Sequence, residues 1–286
     1  MTIKEKLLEA TSILEKQGID NASYDAKELL MHVLNISNTD LLLNSNKIIE
    51  DLAATQYDEC IKRRANHEPL QHITGIAYFY GREFLVNEHV LIPRYDTENL
   101  CYRLLELIEE NDRILDMCTG SGCIIETLFL ESKCSKKAGD IVAVDISREA
   151  LEVAKNNAAR LGIDAIEFIN SDLFEELNDD FVKFFDVIVS NPPYIRTSVI
   201  EELDKEVKLH DPFIALDGKE DGLLFYRKIT RDCRPFLKEG GYLAYEIGHD
   251  QAADVSKIMI DNGFSDIKVY KDLSGFDRVV IGKYIH

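Results

Sequence analysis

Residues 191–194 read Asn-Pro-Pro-Tyr and follow the apolar run Phe185-Asp186-Val187-Ile188-Val189-Ser190, which has the character of a buried strand. Each proline fixes its own φ, removes an N–H donor and forces the preceding residue into an extended conformation. Asn191 and the backbone carbonyl of Pro192 are thereby held in set directions at the strand's end. Both carbonyls can accept from a single NH2 group. An amide or aromatic amine nitrogen is a poor nucleophile because its lone pair is delocalised. Two acceptors on its two hydrogens aim that lone pair at an electrophile and stabilise the positive charge that develops. The proton can leave after the new bond has formed, so no general base is needed beforehand. Pro193 completes the rigid turn, and Tyr194 offers a flat face on which a planar group can stack. Asn191, Pro192, Pro193 and Tyr194 are therefore the candidate catalytic residues.

A second set of residues lies at the ends of other strand-like runs. Cys118-Thr119-Gly120-Ser121-Gly122 stands between the run at 113–117 and an apolar helical stretch. A turn of small residues there brings backbone N–H groups close to a ligand. Asp145 ends the next strand, 23 residues after Gly122, where an acid can accept both hydrogen bonds of a ribose diol. Asp172 and Leu173 follow the third strand, and in methyltransferase folds such an acid and its neighbour border an adenine. Sites at the C-terminal ends of three successive strands form one crevice and indicate a nucleoside cofactor. These features together leave NAD open, although the loop's two glycines, 120 and 122, do not make a G-x-G-x-x-G pattern. Asn-Pro-Pro-Tyr decides for a methyl donor, S-adenosylmethionine. That motif is shared by methyltransferases acting on adenine or guanine exocyclic amines and by those acting on glutamine amides.

Positioning these residues requires a sheet. Strand patterns at 113–117, 141–145, 165–169, 185–190, 242–247, 267–270 and 278–282 alternate with helical ones, which predicts a mostly parallel sheet covered on both faces. The segment holding Ser274-Gly275 is too short for a crossover helix, so the last two strands should pair antiparallel. Asp96 or Thr97 is expected to cap a helix running to Ile108, and Ser147 another that stops at Gly162. Upstream, apolar residues at helical spacing predict four short helices, with Ser23 and Thr39 as caps of the second and third. Aromatic and β-branched residues around Gly81 predict a hairpin.

Composition narrows the partners. The formal charge is −19, and the one short basic cluster, Lys62-Arg63-Arg64, reads as a solvated helix end. Proteins that bind nucleic acid usually present a basic face, so the balance disfavours a nucleic-acid substrate. The six cysteines form no C-x-x-C pair, and no metal site is expected. No apolar run approaches the roughly 18 residues of a membrane helix, and the N-terminus lacks a signal-peptide pattern, so a cytoplasmic location is expected.

With these residues in hand, the chain resembles the release-factor glutamine methyltransferases (the PrmC/HemK family) along nearly its whole length. The similarity includes Glu68-Pro69-Leu70-Gln71-His72-Ile73-Thr74-Gly75, Leu91-Ile92-Pro93-Arg94, Asp96-Thr97-Glu98, Ala215-Leu216-Asp217-Gly218, Asp221-Gly222-Leu223 and Glu246-Ile247-Gly248. The resemblance implies an α/β, Rossmann-like class I methyltransferase domain over 96–286. A helical, substrate-holding bundle over 1–67 and a β-hairpin linker over 68–95 would precede it. It implies cofactor contacts from residues 118–122, Asp145, Leu173 and Asn191, and substrate contacts from Asn191 through Tyr194. The substrate would be the glutamine of a Gly-Gly-Gln loop in a peptide chain release factor. The alternative is a DNA or RNA exocyclic-amine methyltransferase. Three positions depart from the family pattern: Cys118 replaces a glycine, Tyr95 a proline, and Leu173 an aromatic found in some members. A backbone with φ below zero at 118 would accommodate the cysteine.

Overall fold

The computed structural model describes residues 1–285 in two compact units, Met1–Ile76 with Asp204–His210, and Ala77–Leu203 with the chain from Asp211 onward. The first unit contains α1 (Ile3–Lys16), α2 (Ala22–Leu34), α3 (Asn38–Asn44), α4 (Asp51–Ala65) and α5 (Leu70–Thr74). Leu14, Ala26, Leu29, Leu30 and Tyr57 are fully buried at its centre, where each leucine contributes roughly 1.5–3 kcal/mol. The Tyr57 hydroxyl, sealed in that core, donates to the carbonyl of Ala26 at 2.8 Å. Ile73 of α5 joins the same cluster, so the unit extends to residue 76 instead of ending at 67.

Two expected caps are displaced. Ser37, not Thr39, caps α3 in a reciprocal arrangement with Asp40, and α2 starts at Ala22 with Asn21 at its cap position, leaving Ser23 inside the helix. The basic cluster is not a solvated helix end either. Arg64 is buried, 2.6 Å from buried Asp25 and paired also with Glu206, while Arg63 binds Glu68. A buried guanidinium must be paired, and these acids claim two of the three cations.

From Ala77 the second unit opens with the predicted hairpin, β1 (Ile76–Phe79, its first residue still in the first unit) and β2 (Arg82–Leu85). It continues through α6 (Tyr95–Leu105), β3 (Ile114–Met117), α7 (Cys123–Glu131), β4 (Ile141–Asp145), α8 (Arg148–Arg160), β5 (Ile166–Asn170), a 3-10 turn at Asp179–Phe181, β6 (Phe185–Ser190) and α9 (Thr197–Ile200). The chain then contributes α10 (Lys205–His210) to the first unit. The second resumes with α11 (Phe213–Leu216), α12 (Leu224–Asp232), β7 (Leu237–Glu246), α13 (Ala252–Asp261), β8 (Phe264–Lys271) and β9 (Asp277–Tyr284).

Seven strands form one sheet in the order β5-β4-β3-β6-β7-β9-β8, with β9 antiparallel to both its neighbours and the rest parallel. Successive strand residues face opposite sides. Leu115, Met117, Val142 and Val144 belong to one core, and Ile114, Ile141, Ala143, Val187 and Val189 to the other. Burial on both faces explains why these strands read as continuous apolar runs. The hairpin is more than a linker. Phe79 and Phe84 are buried in the second of these cores, and the Asn157 side chain bonds the N–H and carbonyl of Leu85 at 2.6 and 3.0 Å.

Candidate active site

Strand order reverses direction about β3, and β6 lies beside it, so a crevice opens beyond their C-terminal ends. The register pairs Met117 with Ser190, and the Ser190 hydroxyl donates to the carbonyl of Met117 at 2.6 Å. This bond clamps the two strand ends, so the residues after each, Cys118 and Asn191, enter one cavity. Its wall includes Cys118, Thr119, Gly120, Ser121, Asp145, Asp172, Leu173, Asn191 and Pro193, all singled out from sequence and all within the second unit.

The loop after β3 is held from beneath. Thr119 donates its hydroxyl to Asp116 at 2.6 Å and its N–H to Val144, Gly120 N–H donates to Asp145 Oδ2 at 2.9 Å, and Gly122 N–H to Thr119. Most of the loop's donors are thus turned inward, contrary to the expectation that they face a ligand. They fix the loop's shape, and its open side does the facing: a Cβ on Gly120 would meet nothing within 4 Å. Gly122, expected at the ligand, is not on the cavity wall. It has φ +81°, and a Cβ there would stand 2.4 Å from Glu126 Oε1, so this glycine allows α7 to pack against the loop's inner side.

Cys118 has φ +64°, not the negative φ that would suit a cysteine. Leu173 has φ +53° and is also left-handed. Burial pushes the Cys118 thiol up, with the charges of Asp145 and Asp116 adding to the effect, which disfavours the thiolate. Asp145 accepts from Gly120 N–H and, at 2.9 Å, from Ser147 N–H. Burial raises its carboxyl, and these backbone donors oppose the rise. Each of its oxygens keeps a second lone pair for a ligand hydroxyl.

The Asn-Pro-Pro-Tyr segment divides. Asn191 and Pro193 line the cavity, whereas Pro192 and Tyr194 do not. Tyr194 packs on the sheet's core and donates its hydroxyl to Glu246 at 3.4 Å, because a buried carboxyl at the end of β7 demands a donor. Its ring is therefore not the stacking face anticipated. The backbone behind it is gripped by two glycines. A Cβ on Gly218 would lie 2.7 Å from the Tyr194 backbone, one on Gly222 would lie 2.4 Å from its carbonyl, and Gln251 donates to that carbonyl at 3.0 Å. These contacts give a steric reason for Asp217-Gly218 and Asp221-Gly222.

Several cavity residues were given no site role from the sequence, although Thr97, Ile92 and Pro93 fall in segments of the family resemblance. Thr97 is not a helix cap, since α6 starts at Tyr95. It lines the cavity, where Asn191 Nδ2 donates to its hydroxyl at 3.5 Å. Phe225, Ile146, Val90, Ile92 and Pro93 add an apolar wall, and Phe225 supplies from α12 an aromatic ring that position 173 lacks. The signals that could have been followed were the segments Leu91-Ile92-Pro93-Arg94 and Asp96-Thr97-Glu98 of the family resemblance and the lone acid closing Tyr242-Leu243-Ala244-Tyr245-Glu246. Among the described residues, no group of His, Cys, Asp and Glu could hold a metal, and no helix is long and apolar enough to cross a membrane.

Comparison with known proteins decides the family. Residues 5–75 match the PrmC N-terminal domain and residues 108–261 a methyltransferase domain. The chain is 40% identical to a release factor glutamine methyltransferase from Agrobacterium fabrum, over 98% of this chain and 96% of the relative. The chain belongs to the release factor glutamine methyltransferase family. It is also 38% identical to a bifunctional methyltransferase from Rickettsia felis, of which it spans 58% of the length. A methyltransferase structure from Pyrococcus furiosus, 16% identical, shares the fold at a TM-score of 0.53 over 73% of this chain and 91% of that one. The loop after β3, the acid ending β4 and the asparagine after β6 line one cavity of the second unit.

Proposed function

We propose that this chain transfers a methyl group from S-adenosylmethionine to the side-chain amide nitrogen of the glutamine in the Gly-Gly-Gln loop of a peptide chain release factor. One observation carries the reading: Asn191, an amide acceptor for an NH2 group, stands on the same cavity wall as residues 118–121 and Asp145. The cofactor supplies an electrophilic methyl group on a positively charged sulfur. The cavity suits it. Asp145 retains lone pairs for the ribose diol, Leu173, Ile146 and Phe225 offer apolar surface for the adenine beside Asp172, and the side of the loop at Gly120 is open.

Asn191 Oδ1 accepts one amide hydrogen of the glutamine on the cavity wall; the Pro192 carbonyl, which lies off that wall, would take the other only if the entering side chain reaches past it. With its hydrogens held, the nitrogen lone pair would face the methyl group that S-adenosylmethionine supplies, the sulfur would leave as the thioether on transfer, and the amide proton would pass to water afterwards. Tyr194 acts from behind, anchoring the turn. The helical bundle of the first unit helps hold the release factor. Of the basic cluster that a nucleic-acid substrate would need, Arg63 and Arg64 are already engaged with acids.

Mass spectrometry of a release factor incubated with enzyme and cofactor is expected to show one added methyl on the Gly-Gly-Gln glutamine. A Gln→Asn substrate should stay unmodified, because losing one methylene withdraws the nitrogen beyond near-attack distance. Duplex DNA should also stay unmodified. Methyl on DNA or RNA with an unlabelled release factor would move the reading to the nucleic-acid alternative.

Cys118→Gly tests the loop. Left-handed backbone costs a non-glycine residue roughly 1–2 kcal/mol, and glycine's extra freedom in the unfolded chain offsets part of the relief, so stability should change by less than about 1 kcal/mol. S-Adenosylmethionine affinity, read by calorimetry, should stay equal or rise. A marked loss would mean that the thiol itself touches the ligand.

A further inference from the structure

The hairpin of β8 and β9 runs past the edge of the sheet at which the cavity opens. Ser190 of β6 is level with Tyr245 of β7, and Tyr245 is level with Val280 of β9. Phe276 lies four residues beyond Val280 in that direction. At about 3.3 Å per residue the tip stands roughly 13 Å past the strand end that leads into Asn191, and two strand spacings, roughly 10 Å, to its side. The tip is held rigidly. Asp272, its side chain almost wholly shielded, accepts from Ser274 N–H at 2.9 Å and from Phe276 N–H at 3.0 Å, and Arg278 binds it at 3.1 Å. Arg278 also reaches Asp96 at 3.6 Å, and Asn99 Nδ2 donates to the Lys271 carbonyl at 3.0 Å. Thr97, which lies between Asp96 and Asn99 on α6, lines the cavity. One turn of α6 therefore fastens the tip and forms part of the cavity wall.

This rigid tip presents apolar side chains to solvent. Leu273 is fully exposed, and Phe276, whose ring meets His249 edge-on at 5.8 Å, is about half exposed. Tyr95, the residue before Asp96, is exposed as well. The turn is made by Asp272 and Gly275 and has no need of a leucine. Single exposed apolar residues are ordinary, but large ones fixed on a projecting turn beside a cavity have the character of binding anchors. We propose that the β8–β9 tip is a docking surface for the methyl-accepting protein, with Leu273 and Phe276 entering an apolar depression beside the segment that carries the reactive glutamine. A protein whose side chain reaches Asn191 must bring its own surface against whatever projects past the cavity, and the tip projects. A nucleic acid fits the surface poorly, because the cations there, Lys271, Arg278 and Arg196, are already bound to Asp277, Asp272 and Asp250. The identity of the partner rests on the proposed methylation of a release factor.

Leu273→Ser should raise KM for an intact release factor about fivefold or more, and Leu273→Ser with Phe276→Ser further still, with kcat and S-adenosylmethionine affinity within about twofold. Leu273 is fully exposed, so the fold does not depend on it, and the melting temperature should be unchanged. Because the contact is apolar, the ratio of variant to wild-type KM should be the same at low and high salt. Unchanged KM in both variants would overturn the proposal while leaving the methylation reading intact. A wild-type dimer that Leu273→Ser separates, seen by sedimentation, would assign the tip to a second copy and also overturn it. If the wild-type enzyme left the release factor unmethylated, the functional reading would fail by itself. Calorimetric binding of the release factor to wild type and to Leu273→Ser would then still decide the docking surface, with equal affinities or no binding to either counting against it.

Discussion

Replacing Asn191 by alanine is expected to lower kcat about 100-fold or more, with a matching fall in kcat/KM. The matched fall is the diagnostic part. A hydrogen bond made equally in ground and transition states would change KM alone, whereas one that strengthens as the nitrogen gains positive charge acts on kcat. The asparagine sits at the end of a strand whose last residue, Ser190, is bonded to the end of β3, so removing its side chain should not disturb the turn. Pro192 and Pro193 still dictate the backbone path. Cofactor affinity should therefore change much less than turnover. Steady-state kinetics on a variant with wild-type melting behaviour checks this. Near-normal turnover would defeat the mechanism.

A second large effect concerns stability. Asp116 and Glu126 lie wholly buried behind the loop, and burial pushes them up to about 7 and about 10 respectively, with Asp116 adding to the rise at Glu126. Glu126 therefore keeps its proton at neutral pH. A carboxyl with a higher pKa in the folded than in the unfolded state holds a proton that the unfolded chain has released. Between those two values, each unit of rising pH removes about 1.4 kcal/mol of stability per such group. For Glu126 the window runs from the ordinary 4.5 to about 10, and for Asp116 from 3.8 to about 7. The contribution is fully present below the lower value and declines through the window.

Glu126→Gln keeps the shape that Gly122 requires and has no proton to lose. It is expected to be more stable than the parent by about 1–4 kcal/mol at pH 8, with the difference shrinking towards pH 5. Denaturant titrations of both proteins at pH 5, 7 and 9 measure this. Parallel curves would show that the folded and unfolded chains hold the Glu126 proton alike.

Much of the molecule was legible in the sequence because the signals were local. Apolar runs at 141–145 and 185–190 match β4 and β6 to the residue, since strands buried on both faces must be apolar throughout. Ser147 caps α8 through its own side chain. Two prolines determine the path after Asn191 wherever they occur, and Asp145 and Cys118–Ser121 reach the cavity because strand ends in a parallel sheet converge. Caps failed where several candidates stood close together, as with Ser37 over Thr39, because one extra hydrogen bond of about 1 kcal/mol decides them.

What tertiary structure alone decided is where the side chains of known residues point and which partners consume their hydrogen bonds. Tyr194 carries an aromatic face in any conformation, but the buried Glu246, 52 positions away in sequence, turns its hydroxyl into the protein. Thr97 has the composition of a helix cap and becomes a hydrogen-bond partner of Asn191, 94 positions away. Gly122 belongs to a ligand-loop pattern and instead makes room for Glu126. The unit boundary moved from 67 to 76 because Ile73 is buried in the bundle's core. In each case the deciding term is the cost of leaving a buried polar group unpaired or an apolar one exposed. That cost depends on residues distant in the chain, so it exists only once the chain has folded.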